Sequence, residues 1–289
     1  LQLINLDQTP ITASINDSVT IELQDSTAAF VPIFGGSITD LTVEVTTAGS
    51  VGINQTVSII ALGALSRLQK ALTQGVLSDA LDGVQIETIL TDLLVNNWSE
   101  VPSALTWATY PASVTWATAE NTGLGEIDAG NYELEDRGAD IVDVYSLVSA
   151  LATSGLGYLY EDAYGRISYA DSTHRSLYLS TYGYTDVDAH QAVINGMQIN
   201  TRAGDVRNDI TLKYGNNSAL EKTAEDPTSI GIFGRLAQII TTTIKHAVDA
   251  QDQADFYLTL RAYPQPMMNA ITFELTNPEL DDADRDSMI

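Results

Sequence analysis

Asp186-Val187-Asp188-Ala189-His190 sets three possible ligands at alternate positions. On a strand such residues share one face, and two carboxylates with an imidazole could hold a divalent cation. Nothing else nearby supports such a site, and a solvated strand edge or turn is the plainer reading. Asp282-Ala283-Asp284-Arg285-Asp286 begins like a calcium loop, but Ser287 stands where the loop needs Gly and no Glu follows at the twelfth position. Carboxylates in the first turn of a helix, favoured by its dipole, explain that stretch better. The three histidines, His174, His190 and His246, are far apart and none lies in a nucleophile context. No HExxH, Walker-type loop, nucleophile elbow or dinucleotide fingerprint occurs. Gly123-Leu124-Gly125 and Gly155-Leu156-Gly157 are bare pairs that read as turns. The absence of Cys removes disulfides, Cys-ligated zinc, iron–sulfur clusters and thiol nucleophiles together. The reading is a non-enzymatic chain with no cofactor.

Tyrosine is unevenly spread: eight of the thirteen lie between Tyr145 and Tyr184. Aromatic rings stack on sugars, so a carbohydrate- or receptor-binding face is one reading. The other is that Tyr suits half-buried strands, with an apolar ring and a wet hydroxyl. The four Asn-x-Ser/Thr sequons, at Asn16, Asn54, Asn97 and Asn216, are near chance for this composition.

The elements that must position these groups come from a chain of 289 residues, 44% apolar and 18% charged, enough for packed cores in one to three domains. No apolar run approaches the ~20 residues that span a bilayer. Leu1 follows no basic-then-apolar leader, and the acidic end looks interrupted; the chain is expected to be part of a longer polypeptide. The formal charge of −25 argues against a protein that grips nucleic acid, which concentrates Lys and Arg. Residues 1–136 hold two basic residues, Arg67 and Lys70, against seventeen acidic ones; the remainder holds eleven against twenty-one. Solubility in a salty habitat would explain the surplus, as would a surface that must not bind a passing polyanion.

Residues 1–62 read as short strands (Val19–Leu23, Ile38–Val45, Thr56–Ile60) with Gly35-Gly36 and Gly49 as punctuation. Leu62, Leu65, Leu68 and Leu72 predict a helix stopped by Gly75, and Ile86, Ile89, Leu90, Leu93 and Leu94 a second over 84–96. Leu105–Thr109 and Val114–Thr118 duplicate each other around Tyr110-Pro111 and predict paired strands. Asp140 reads as the N-cap of a helix ended by Gly155. Residues 157–169 form the clearest hairpin. Strands follow at 193–201, 208–214 and 236–244, then a helix capped by Asp249 and broken by Pro264. Ile271, Phe273 and Leu275 make a last strand, and Asn277-Pro278 opens a terminal helix. The fold class is α+β and rich in β, not a βαβ repeat.

Three stretches together resemble the tail-hub proteins (baseplate hub, minor tail protein) of long-tailed phages and viruses. Val31–Asp40, with Phe34, Gly36 and Asp40, followed by the strand and Leu-rich segment 57–68, is similar to the family's opening strands. Gly157–Ile167, with Asp162, Gly165 and Arg166, resembles its hairpin with an Asp-x-x-Gly-Arg-Ile turn. Ser229–Arg235, with Ser229, Gly234 and Arg235, resembles its Ser-x-x-x-Tyr-Gly-x-Arg segment, Phe233 standing where Tyr is usual.

The resemblance implies two small β-barrel-like domains, at 1–64 and 186–289, separated by α/β inserts at 65–185, the second barrel finishing beyond the chain end. It implies a homotrimer in the virion at the distal tail, assembled in the host cytoplasm. Its neighbours would be a distal tail protein, a tape-measure protein and tip or fibre proteins. Genomic DNA would pass through without sequence-specific contact, and no membrane would be spanned. Double-stranded DNA carries one charge per about 1.7 Å, so a basic conduit would hold it. An acidic wall is expected instead, with Asp7, Asp17, Glu22, Asp25, Asp40 and Glu44 as candidates facing the lumen.

Overall fold

The computed structural model describes residues 2–5, 12–47, 53–94, 124–184, 186 and 188–288. The chain opens with β1 (Gln2–Asn5), β2 (Ser18–Gln24), β3 (Phe30–Thr47) and β4 (Ile53–Leu62), which form one antiparallel sheet in the order β1-β4-β3-β2. β3 runs unbroken through Gly35-Gly36, so these glycines are mid-strand and not punctuation. Ile38, Val57 and Ile59 bury one small core with Ala13, Val19 and Leu41 packed on it. Ile21, Phe30, Ile33, Val43 and Ile60 stay exposed. Among the described residues this sheet is open, not a closed barrel, because no strand bridges β1 to β2.

Next come α1 (Leu65–Leu68), β5 (Leu72–Thr73), β6 (Ala80–Leu81), α2 (Asp82–Leu94), β7 (Leu124–Ile127), β8 (Glu133–Leu134), β9 (Val142–Asp143) and α3 (Val144–Ser154). The helix expected to reach Leu72 stops after one turn, since Leu72 and Thr73 pair with Asp143 and Val142. That pairing also moves the start of α3. Residues 142–143 are extended, so Asp143, not Asp140, is the N-cap, and its carboxylate accepts from Ser146 N at 2.7 Å. The cap holds the Asp143 carboxyl below its usual value. The duplicated Trp segments at 105–118 lie outside the described residues.

The hairpin forms as expected, from β10 (Tyr158–Glu161) and β11 (Ile167–Ala170), with β7 added parallel to β11. Then follow α4 (His174–Tyr182), β12 (Ala192–Thr201), β13 (Asp209–Tyr214), β14 (Leu220–Glu225), α5 (Pro227–Phe233), β15 (Ala237–Thr241), α6 (Ala247–Arg261), β16 (Pro266–Phe273) and α7 (Asp282–Met288). Helices α4 and α5 and strand β14 have no counterpart in the sequence reading. His246, not Asp249, occupies the N-cap of α6. Asn277-Pro278 sits in a turn instead of opening α7: Asn277 Oδ1 accepts from Glu279 N at 3.0 Å, and the Asn277 amide donates to Gln191 O at 2.9 Å.

One core joins the middle and later parts of the chain. Ile86 and Leu90 of α2, Val148 and Leu151 of α3, and Ile167 and Tyr169 of β11 share it with Ile210 and Leu212 of β13, Ile240 of β15, and Ala250 and Ala254 of α6. β13 alternates buried and half-buried residues, so one of its faces feeds that core. The sheet β14-β13-β15 and α6 therefore pack with α2, α3 and β11 in one core. β12 and β16 form a separate two-stranded ribbon, on which Met197, Ile199, Met267 and Met268 are exposed.

Candidate functional site

Two of the three motif stretches meet. In the β10–β11 turn, Asp162 Oδ1 accepts from Tyr164 N and Arg166 N, each at 2.9 Å, and its Oδ2 accepts from Arg166 Nε at 2.6 Å. Gly165 closes the turn at φ +77°, a left-handed conformation that costs a residue with a Cβ about 1–2 kcal/mol. The same turn lies backbone to backbone on β3: a side chain at Gly165 would overlap the Gly35 carbonyl, and one at Gly35 the Tyr164 carbonyl. Beside it, Glu161 Oε1 accepts from Leu65 N at 2.6 Å, tying the hairpin to the start of α1. Burial pushes the Glu161 carboxyl up, which the Leu65 N–H partly offsets. Phe34 is half-buried with its ring near Gly36, and Asp40 is exposed where β3 shifts register against β4.

The third stretch builds its own junction. Ser229 Oγ donates to Ala262 O at 2.5 Å, joining α5 to the end of α6. The buried Asn208 amide donates to Ser229 Oγ at 3.2 Å and Gly234 O at 2.8 Å, and its Oδ1 accepts from Leu236 N at 2.7 Å. Arg235 bridges Asp209 at 2.5 Å and Glu225 at 3.0 Å. Phe233 packs edge-on to Tyr263, ring centres 6.4 Å apart. Sequence reading missed Asn208, for which no local pattern gives a signal.

The tyrosine-rich region gathers a second set of groups. Tyr158, Tyr160, His174, Tyr178 and Tyr182 form a continuous row of rings, with centres 5.8, 6.4, 6.0 and 4.5 Å apart in turn. His174 Nδ1 is 2.8 Å from Asp128 Oδ2, which also accepts from Asp171 N at 3.0 Å. Glu126, Asp128 and His174 bring one ligand atom each within 4.8 Å of one another, a set that could hold a cation. Burial, with the Glu126, Tyr158 and Asp128 charges behind it, raises the Tyr160 hydroxyl, although Ser168 beside it pulls the other way.

Asp186, Asp188 and His190 are not drawn together in this way. All three are exposed, and His190 Nδ1 stands 3.9 Å from Asp188 Oδ2. In the terminal acidic stretch Asp281 Oδ1 accepts from Asp284 N at 2.8 Å, a cap on α7. Asp286 instead binds Ser26 N and Oγ at 2.9 and 2.5 Å, docking α7 on the first sheet. Of the six lumen candidates, Asp7 lies outside the described residues. Asp17 accepts from Ser14 N at 2.7 Å, and Asp25 holds its own turn through Thr27 and Ala29, which lowers its pKa. Glu22, Asp40 and Glu44 are exposed.

Sequence reading also missed Asp82. It is fully buried, and its carboxylate accepts from Tyr169 Oη and from Asn131 N and Tyr132 N at 2.8 Å each. Burial raises its pKa, and the three donors offset part of that. Burial likewise pushes the Tyr169 hydroxyl up, with the Asp82 charge adding to it.

No family model and no curated protein matches the chain. Among solved structures it is similar to the tail protein from Neisseria meningitidis, at 11% identity and TM-score 0.46, over 80% of this chain and 60% of that one. It is also similar to a prophage tail protein from Listeria monocytogenes, at 11% and 0.41 over 86% and 70%. A third is the 43 kDa tail protein of a Shewanella oneidensis prophage, at 11% and 0.42 over 90% and 69%. The chain thus spans less than two thirds of the length of the Neisseria protein.

Proposed function

We propose that this chain is a structural tail protein of a phage or related virus, and within the tail a trimeric hub that continues the tube and joins it to tip parts. The observation that carries the reading is the use made of the motif residues. The turn of Asp162, Gly165 and Arg166 lies backbone to backbone on Gly35, between Phe34 and Gly36 of the first stretch, while Ser229, Gly234 and Arg235 form another junction. A motif made of such joints specifies a shape and no reaction, which suits a part whose work is to fit others. Among the described residues the first sheet has edges without a neighbouring strand and the β12–β16 ribbon has exposed faces, and both support the same reading, since sheets left open gain by pairing or packing against further chains. In this proposal barrels are completed between the sheets of the assembled ring. The hub sits at the distal tail beside the distal tail, tape-measure and tip proteins, and DNA passes through it.

The ring's lumen is net acidic in the same proposal, with Glu22, Asp40 and Glu44 free to face it. At 0.1 M salt the screening length is about 10 Å, so repulsion stays near the wall and leaves the axis passable. Light scattering on the protein at micromolar concentration tests the hub: a threefold mass, with rings in electron micrographs, is expected. A monomer under those conditions overturns it. A trimer with a neutral or basic lumen overturns the conduit wall alone.

A further inference from the structure

Between α3, the segment 135–138 and the turn at 215–217 lies a cleft of about 430 Å³. Leu77, Leu147 and Leu151, all buried, give it an apolar wall. Gln85 reaches it from α2 at 1% exposure, and its Nε2 donates to Ser78 O at 2.8 Å and Glu135 O at 3.1 Å. Those two bonds fix the amide, and its Oε1 is left a buried acceptor with no donor among the described residues. Glu135 and Asp136 also line the cleft, and among the described residues no basic side chain forms an ion pair with either. The nearby cations are engaged elsewhere. Lys245 Nζ stands 2.7 Å from both Asp79 and Glu133, and the Arg137 Nη atoms donate to the Gln74, Gly75 and Asp140 carbonyls at 2.7, 3.0 and 2.9 Å.

We propose that this cleft is a binding site for a primary alkylammonium group. An ammonium carries a positive charge and three donors with no acceptor, which matches two carboxylates and an amide oxygen that lack donors. Its alkyl stem lies on the leucine wall, as a lysine stem lies on apolar surface. The chain already uses the same head-group chemistry two residues away, where Lys245 Nζ bridges Asp79 and Glu133. A bare divalent cation would engage the carboxylates but gain nothing from the leucines. An anionic ligand is disfavoured by the same acceptors and by a net charge of −25. A lysine side chain of a neighbouring protein and a free polyamine both bring the group. The site does not rest on the tail reading.

Titration of the whole chain with butylammonium, followed through the amide resonances of Ser146 and Asn216 at the cleft and of Gly165 away from it, tests the proposal. Butylammonium shifts the first two and leaves Gly165 in place. Methylammonium binds at least about tenfold more weakly, because three methylenes are missing from the apolar wall. Butanoate, with a stem of like size and the opposite charge, shifts none of them. Glu135→Gln weakens butylammonium about tenfold, by loss of a charged acceptor, whereas Glu221→Gln, exposed on β14, leaves affinity unchanged. Of Nα-acetyl-lysine amide and spermidine, the tighter binder names the source. The proposal is overturned if butylammonium shifts neither cleft amide, or if methylammonium binds as tightly, which would leave only a charged surface. Calcium chloride binding at these amides more tightly than butylammonium overturns it in favour of a metal site. The chain-length series uses the native chain and stands whether or not Glu135→Gln folds. A monomeric protein that binds butylammonium would defeat the hub and leave this site standing.

Discussion

The central core and the two outlying sheets are built on opposite plans. Around Leu90, Val148, Tyr169 and Leu212, side chains from α2, α3, β11 and β13 close on one another with none of their surface left to solvent. In the first sheet and the β12–β16 ribbon, one small cluster is buried, and Phe30, Val43, Ile60, Ile199 and Met267 remain 46–68% exposed. The core therefore closes on itself, whereas the sheets carry apolar surface that no other described residue of the chain covers. Stability is expected to reside in the first region and assembly in the second.

The largest test of that contrast is Leu90→Ala, which should cost about 3–4 kcal/mol in urea unfolding through the cavity it leaves. Met267→Ala in the ribbon should change monomer stability by less than about 0.5 kcal/mol, as exposed substitutions do. Its effect should appear as weaker oligomerisation in light scattering. Equal costs at the two sites would erase the distinction.

Asp82→Ala should cost about 3 kcal/mol, since the Tyr169 hydroxyl and two backbone N–H groups lose their acceptor. The Asp82 pKa is raised above its unfolded value near 3.8, so the folded chain holds that proton more tightly. Its contribution to stability is then complete below about pH 4 and falls as pH rises through the folded pKa. In paired urea titrations at pH 7 and 4.5, the native chain should gain on Asp82→Asn at the lower pH. A gap independent of pH would show that the carboxyl is not desolvated.

Gly165→Ala should cost about 2 kcal/mol from its left-handed backbone and the overlap with Gly35. Because it loosens the joint between core and first sheet, amide exchange should speed up in β3 and β4 before it does in α3. Uniform acceleration would mean that the two regions unfold as one. The smallest effect is expected from Arg235→Ala. Its guanidinium and the Glu225 carboxylate are exposed and only Asp209 is largely covered, so the loss should stay within about 1 kcal/mol.

Legibility in the sequence followed the range of the contacts. The 158–170 hairpin, α2 and strand β13 were readable because period and turn residues encode them within a few positions. Helix α4 was not, because none of its side chains is buried and it therefore carries no apolar stripe. The Asp143 cap was displaced from Asp140 by a strand pairing with residues 72–73, which no local pattern records. The tyrosine cluster was visible as a composition. Its order as a row across β10 and α4 was not.

The sequence by itself determined the α+β class, the absence of any thiol chemistry, the acid surplus and the local turn at Asp162–Arg166, because each is a property of residue types or of spacing within one turn. Only the tertiary structure decided that Asp82 meets Tyr169 87 positions away, that Gly35 receives the turn at Gly165, and that β13 and α6 share a core with α2 and α3. Those contacts form because burying apolar surface and satisfying buried polar groups are settled by the whole chain at once, and neither requirement favours partners that are close in sequence.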